Sequence, residues 1–344
     1  AAADLPGQVH IAFAGNAAGR SDGMTVSWQT DGSTPTSTVK YGTASGAYTS
    51  SATGREATYG FTMSHHVTFT GLAPATKYYY VAGDDTTGWS AEASFVSAAN
   101  IGAKADPWSV AIYGDMGVDN SADTIALLNK NLQQQDFMWH VGDISYADDA
   151  FLADPVKFGY ESRWNSYMQS MQSIAGTKAY MTLPGNHEAE CHSAFCQLNH
   201  TLAEQLHNFT AYNTRFRMPS PESGGVENMW YSFNYKNVHF VNIDTETDFP
   251  GAPTDSYIPF MPKNGGFGDQ MAWLEADLAA AAKAKAAGDI AWVLVAGHRP
   301  VYSVADQSGS VPGGAASALQ KAVEGMFNQY GVDWYFCGHV HSYE

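Results

Sequence analysis

Over residues 1 to about 98, apolar and polar positions alternate with a period of two, and no stretch carries the 3.6-residue spacing of a helix. Runs rich in Val, Thr, Tyr and Trp at residues 8–14, 24–29, 38–42, 65–70 and 77–81 predict short strands. Turn clusters such as Asp22-Gly23, Asp31-Gly32 and Gly83-Asp84-Asp85 separate them at the spacing of an all-β sandwich. Residues 97–107, with Ala, Gly and Pro and little hydrophobic pattern, predict a linker. Beyond it, strand-like runs alternate with helical stretches at residues 121–135, 158–173, 269–287 and 315–330, the third followed by Gly288 as a helix C-cap. That alternation predicts a layered α/β domain, so the expected organisation is a sandwich over residues 1–104 and an α/β domain over residues 105–344.

The sandwich has a more specific signature. In Leu72-x-Pro74-x-Thr76-x-Tyr78-x-Tyr80 a tyrosine enters a strand from a proline-containing corner, and Trp28 supplies an earlier core tryptophan. The arrangement resembles the tyrosine corner of fibronectin type III domains.

In the second half, five apolar runs end alike: a strand, then glycine, then a polar residue able to bind a metal. The endings are Gly114-Asp115, Gly142-Asp143, Gly185-Asn186-His187, Gly297-His298 and Gly338-His339-Val340-His341. In α/β sheets the carboxyl ends of the strands form the binding crevice, so five ends side by side would bring Asp, Asn and His to one place. These are mixed N and O donors, with no cysteine and too many for one ion. With Tyr146 three residues after Asp143, they suit two transition metals sharing a carboxylate. Such a pair activates water and clamps the oxygens of a phosphoryl transfer.

The motifs Gly114-Asp115-x-Gly117, Gly142-Asp143-x-x-Tyr146, Gly185-Asn186-His187-Glu188, Gly297-His298 and Gly338-His339-x-His341 resemble, in order, those of the purple acid phosphatases, a branch of the metallophosphoesterases. The large plant and fungal members also carry a fibronectin-like domain before the catalytic one. The resemblance implies Asp115, Tyr146 and His341 as ligands of Fe(III). It implies Asn186, His298 and His339 as ligands of a divalent Fe, Zn or Mn, and Asp143 as the bridge. The implied activity is hydrolysis of phosphate monoesters, phytate among them, by a metal-held hydroxide. His187 is the expected phosphate contact or proton donor to the leaving alcohol, and Asn186 and Arg299 are expected to contact substrate, Arg299 having a surface salt bridge as its alternative. Other readings of the pattern are a di-metal phosphodiesterase or nuclease of the same superfamily, or an inactive binding module.

Several neighbours have plainer readings. His140 is expected as a core residue behind the site, His65 and His66 as sandwich residues, His192, His200 and His207 as loop residues, and Glu188 as a support for the ligands. Relatives carry a histidine pair soon after the residue corresponding to His298, where this chain reads Ala305-Asp306-Gln307-Ser308. They also continue past the last ligand, so the catalytic domain is expected to lack its C-terminal segment.

Seventeen basic against 34 acidic side chains give a net charge of −17, which repels a phosphate backbone and argues against nucleic acid as partner. The longest apolar run, residues 290–297, is far short of a membrane span of ~18 residues. Cys191 and Cys196 are close enough to close a small loop, while Cys337 reads as a buried thiol or the partner of a cysteine outside the chain. Sequons at Asn199 and Asn208, with a start at Ala1 rather than Met, lead to the expectation of a secreted glycoprotein. Nothing in the sequence fixes an oligomeric state.

Overall fold

The computed structural model describes residues 5–102, 107–303 and 313–341; the expected boundary at 104/105 and the stretch 305–308 lie outside them. The first part holds strands β1 (Gly7–Ala14), β2 (Gly23–Thr30), β3 (Thr38–Gly42), β4 (Ser50–Thr53), β5 (Arg55–Ala57), β6 (Met63–Phe69), β7 (Lys77–Asp84), β8 (Gly88–Trp89) and β9 (Ala93–Val96). They pair antiparallel in two sheets, ordered β1-β2-β6-β5 and β4-β3-β7-β8, with β9 also on β7. Trp28 is fully buried and stacks on His65, and the Tyr78 hydroxyl oxygen accepts the Ala73 N–H at 3.1 Å across the proline corner. His65 and His66 are both buried, bonded within the sandwich to Thr30 and Ser27.

A strand of a free-standing sandwich leaves alternate side chains in water. Instead β1 is buried on both faces, because its outer face packs on the helix Tyr160–Ala175 and on the catalytic sheet. Arg215 sits in this junction, fully buried. It donates to the Tyr59 hydroxyl (2.7 Å), Gln8 Oε1 (3.1 Å), Glu161 Oε1 (2.6 Å) and Asn165 Oδ1 (2.8 Å), so its charge is paired and its N–H groups are satisfied from both domains. The two parts share one continuous apolar core.

The second part contains β10 (Val110–Tyr113), β11 (Phe137–Val141) and β12 (Ala179–Leu183) as a parallel sheet. A second sheet is ordered β13 (Tyr231–Tyr235), β14 (Val238–Asn242), β15 (Trp292–Ala296) and β16 (Trp334–Phe336), parallel from β14 onward. The five motif-bearing strands therefore lie in two sheets and not in one row. Phe137 and Trp139 cross edge-to-face on Phe240, and Trp139 Nε1 donates to Asn242 Oδ1 at 2.7 Å, locking one sheet to the other. Helices Ala122–Lys130, Tyr160–Ala175, Gln270–Ala287 and Gly313–Tyr330 cover the layers. The third starts where Asp269 accepts the Ala272 N–H and stops at Gly288 in the left-handed region (φ 80°). Among the described residues no helix is long and apolar enough to cross a membrane. Cys337 is exposed rather than buried, because β16 is an edge strand with only a partly covered face.

Candidate metal centre

Each expected ligand follows directly on a strand end, and the backbone there is bent hard. Asp115, Asp143, Tyr146 and His339 all have left-handed φ, at 55°, 52°, 51° and 66°. For residues with a Cβ this costs about 1–2 kcal/mol each, a load that clusters at functional sites. The turns are held by continued pairing after the strands stop: Asp115, Met116 and Gly117 donate their N–H groups to the carbonyls of Gly142, Asp143 and Ile144 at 3.0–3.1 Å. Glycine precedes the ligands because nothing larger fits. A Cβ on Gly142 would lie 2.5 Å from His298 Nδ1, and one on Gly185 would lie 2.2 Å from Asp143 Oδ1.

The donor atoms converge. His298 is fully buried, and its Nδ1–H donates to the Val141 carbonyl at 2.9 Å, which leaves Nε2 facing Asp143 Oδ2 (3.0 Å) and Asn186 Oδ1 (3.2 Å). On the other flank, His341 Nε2 lies 3.0 Å from the Tyr146 hydroxyl and 3.2 Å from Asp115 Oδ1, while Tyr146 Oη stands 3.4 and 3.5 Å from Asp115 and Asp143. The His339 N–H binds both Asp115 oxygens at 3.0 Å, and its Nε2 accepts from Arg299 Nη1, also at 3.0 Å. Ligand atoms of Asp143, His298 and His339 fall within 4.8 Å of one another. Asp143 thus stands between two groups, Asp115/Tyr146/His341 and Asn186/His298/His339, with oxygen and imidazole donors on each side. That set fits a pair of ions bridged by Asp143.

Electrostatics reflect this crowding. Burial raises the Asp115 carboxyl, and the charge of Asp143 adds to it. Burial also opposes ionisation of Asp143, yet the charge and hydrogen bond of His298 hold it below the usual carboxylate range. His298 is pushed to about 10, since the charge of Asp143 outweighs burial. His339 falls to about 3 through burial and the nearby Arg299, which keeps the ring neutral as a metal ligand requires. The Tyr146 hydroxyl is raised by burial and by Asp143 and Asp115, so without cations nearby the phenol keeps its proton.

Around these lie the supports: Glu188, as the sequence suggests, and the pair Asp148 and His192, which it does not. Glu188 is buried, and its carboxylate accepts the N–H groups of Asp143 (2.9 Å), Ile144 (2.8 Å) and Gly185 (2.9 Å). His187 is on the spot: its N–H donates to Asp143 Oδ1 (3.0 Å), Nδ1 meets Asp148 Oδ2 at 2.7 Å, and its ring lies 4.2 Å from that of Tyr146. His192 comes in from its loop to share Asp148 at 3.0 Å, and only the fold could have disclosed that. Arg299 is clasped by Glu246, through Nε (2.9 and 3.0 Å) and Nη2 (2.8 Å), and so makes an ion pair beside the ligands. His140, buried and bonded to the Tyr180 hydroxyl at 2.6 Å, sits behind the site. Cys191 and Cys196 are joined by a disulfide. Asn199 is exposed, whereas Asn208 is half-buried and bonded through both side-chain atoms to the Gly265 backbone.

The N-terminal domain of purple acid phosphatases matches residues 6–97, and the calcineurin-like phosphoesterase family matches residues 109–343. An acid phosphatase of Aspergillus ficuum is 32% identical over 81% of this chain, which spans 59% of that relative's length. Acid phosphatase type 7 of Danio rerio is 32% identical over 98% of this chain and 71% of its own. A purple acid phosphatase from yellow lupin seeds shares the fold with a TM-score of 0.72 at 23% identity, covering 98% of this chain and 59% of its own. With these donor side chains gathered at the strand ends, the chain belongs to the purple acid phosphatases, within the calcineurin-like phosphoesterases.

Proposed function

We propose that the protein is an acid phosphatase that hydrolyses phosphate monoesters at a binuclear centre of Fe(III) and a divalent Fe, Zn or Mn. The observation that carries this reading is the meeting of six donor side chains around Asp143. Asp115, Tyr146 and His341 would hold the ferric ion, Asn186, His298 and His339 the divalent one, and Asp143 both. Bound there, the pair supplies Lewis acidity and a water acidified enough to act as nucleophile.

The protein's own groups do the rest. Asn186, at the divalent-ion side, orients the phosphate, and Arg299, held by Glu246 through Nε and Nη2, keeps its charge beside it. As an imidazolium, His187 holds a proton at Nε2 for the departing alcohol: its Nδ1–H donates to Asp148, whose hydrogen bond and charge outweigh burial and push the ring up to about 10. Asp148 and Tyr146 fix that ring so the proton need not search for its target. Small phosphomonoesters, phytate included, are the substrate class. Secretion suits the Cys191–Cys196 disulfide and the net charge of −17, with a glycan at exposed Asn199 and a domain division near residue 104.

One experiment tests the reading: metal quantitation and a visible spectrum of the purified protein, with rates on a phosphate monoester and a diester at pH 5. Two metal equivalents, a ferric-tyrosinate band and a faster monoester reaction are expected. Absence of iron, or a faster diester reaction, would return the chain to the binding-module or diesterase readings.

A further inference from the structure

A cavity of about 210 Å3 opens off the divalent-ion side of the centre, between Asn186 and Arg299 on one wall and His192 and Tyr257 on the other.

The outer wall is built rather than incidental. His192 is held by Asp148 at 3.0 Å, its carbonyl accepts from Gln197 Nε2 at 3.1 Å, and it adjoins the Cys191–Cys196 disulfide. Its ring lies on that of Tyr257 with centroids 4.4 Å apart. Together they offer an aromatic plate facing a space that holds about one ring, below the ~300 Å3 at which pockets take drug-sized ligands. Glu190, Glu246 and Asp255 line the remainder, Glu246 paired with Arg299 and Asp255 with Lys263, each at 2.8 Å.

We infer that this cavity receives the alcohol portion of the ester, and that His192 and Tyr257 favour an alcohol bearing a ring. The inference rests on the phosphatase reading.

The test uses two non-hydrolysable probes on the holoenzyme, phenylphosphonate and methylphosphonate, with binding read by calorimetry. The wild-type protein is expected to bind the phenyl compound at least ~10-fold more tightly, a difference of about 1.4 kcal/mol. Tyr257→Ala should bring that ratio below about threefold by weakening the phenyl compound alone, while Tyr257→Phe keeps it, since the ring and not the hydroxyl makes the contact. Tyr257 is half exposed, so its loss leaves the fold intact. Equal weakening of both probes, or an unchanged ratio in Tyr257→Ala, overturns the assignment of the cavity. Failure of the wild-type holoenzyme to bind either phosphonate overturns the phosphatase reading, and this inference falls with it.

Discussion

Glu188 holds Asp143 by its backbone: the carboxylate accepts the Asp143 N–H at 2.9 Å and, with its other oxygen, the Ile144 N–H at 2.8 Å. The bond fixes a left-handed residue that would otherwise relax, so the bridging carboxylate points at the centre before any cation arrives. Glu188→Ala removes acceptors from three buried N–H groups. Metal affinity is expected to fall about 10- to 100-fold, measured by metal retained after dialysis against a weak chelator. Full retention would show that Asp143 is placed without Glu188.

Gly142→Ala puts a Cβ where His298 Nδ1 stands, 2.5 Å away. The imidazole must move or the strand end must open, and either breaks its bond to Val141. Activity should drop at least ~100-fold while the melting temperature changes by only a few degrees, because the strain is local. An active Gly142→Ala protein would mean that His298 does not need its present position.

Tyr146→Phe keeps the ring on His187 and removes only the oxygen. Visible absorption from ferric phenolate should vanish while two metal equivalents remain. A surviving band of the same energy would place the chromophore elsewhere.

Buried histidines set an acid limit on stability. Burial lowers His66 to about 3 and His10 to about 4, against 6.5 in the unfolded chain. The native state therefore favours the neutral rings: stability is full above pH 6.5 and is lost as pH falls toward those values, at ~1.4 kcal/mol per group per pH unit. Between pH 7 and pH 5 the pair should cost about 4 kcal/mol, seen as a lower urea midpoint. His66→Gln can still reach Ser27 and the Thr214 carbonyl, and should reduce the pH slope by about one proton.

Arg215→Met leaves the carboxylate of Glu161 without its partner in the junction between the domains. A loss of about 3–5 kcal/mol is expected, with both parts still unfolding in one transition because they share a core. Two separate transitions would show that Arg215 is what couples them.

Much of the site was readable because each ligand is announced locally, by glycine after an apolar run. The helix Gln270–Ala287 was equally plain from Asp269 and Gly288 at its ends. Other features depend on packing that no local pattern encodes. The division of five strand ends between two sheets follows from the β13–β14 hairpin, whose residues give no signal stronger than ordinary alternation. Short helices such as His200–Leu206 and Thr210–Arg215 are too brief to show a period. Asp148 and His192 gain their roles only when loops distant in sequence meet, and Arg215, a charged residue expected in water, is buried because the sandwich closes over it.

The left-handed backbone at Asp115, Asp143 and His339 also restricts the mutational paths open to this fold. Asparagine and glycine tolerate that conformation, whereas valine, isoleucine or threonine strain it. A lineage drifting away from metal chemistry would therefore pass through asparagine or glycine at these positions, retaining the shape of the turns long after the cations were lost. The bent strand ends would then survive as a fossil of the centre they once served.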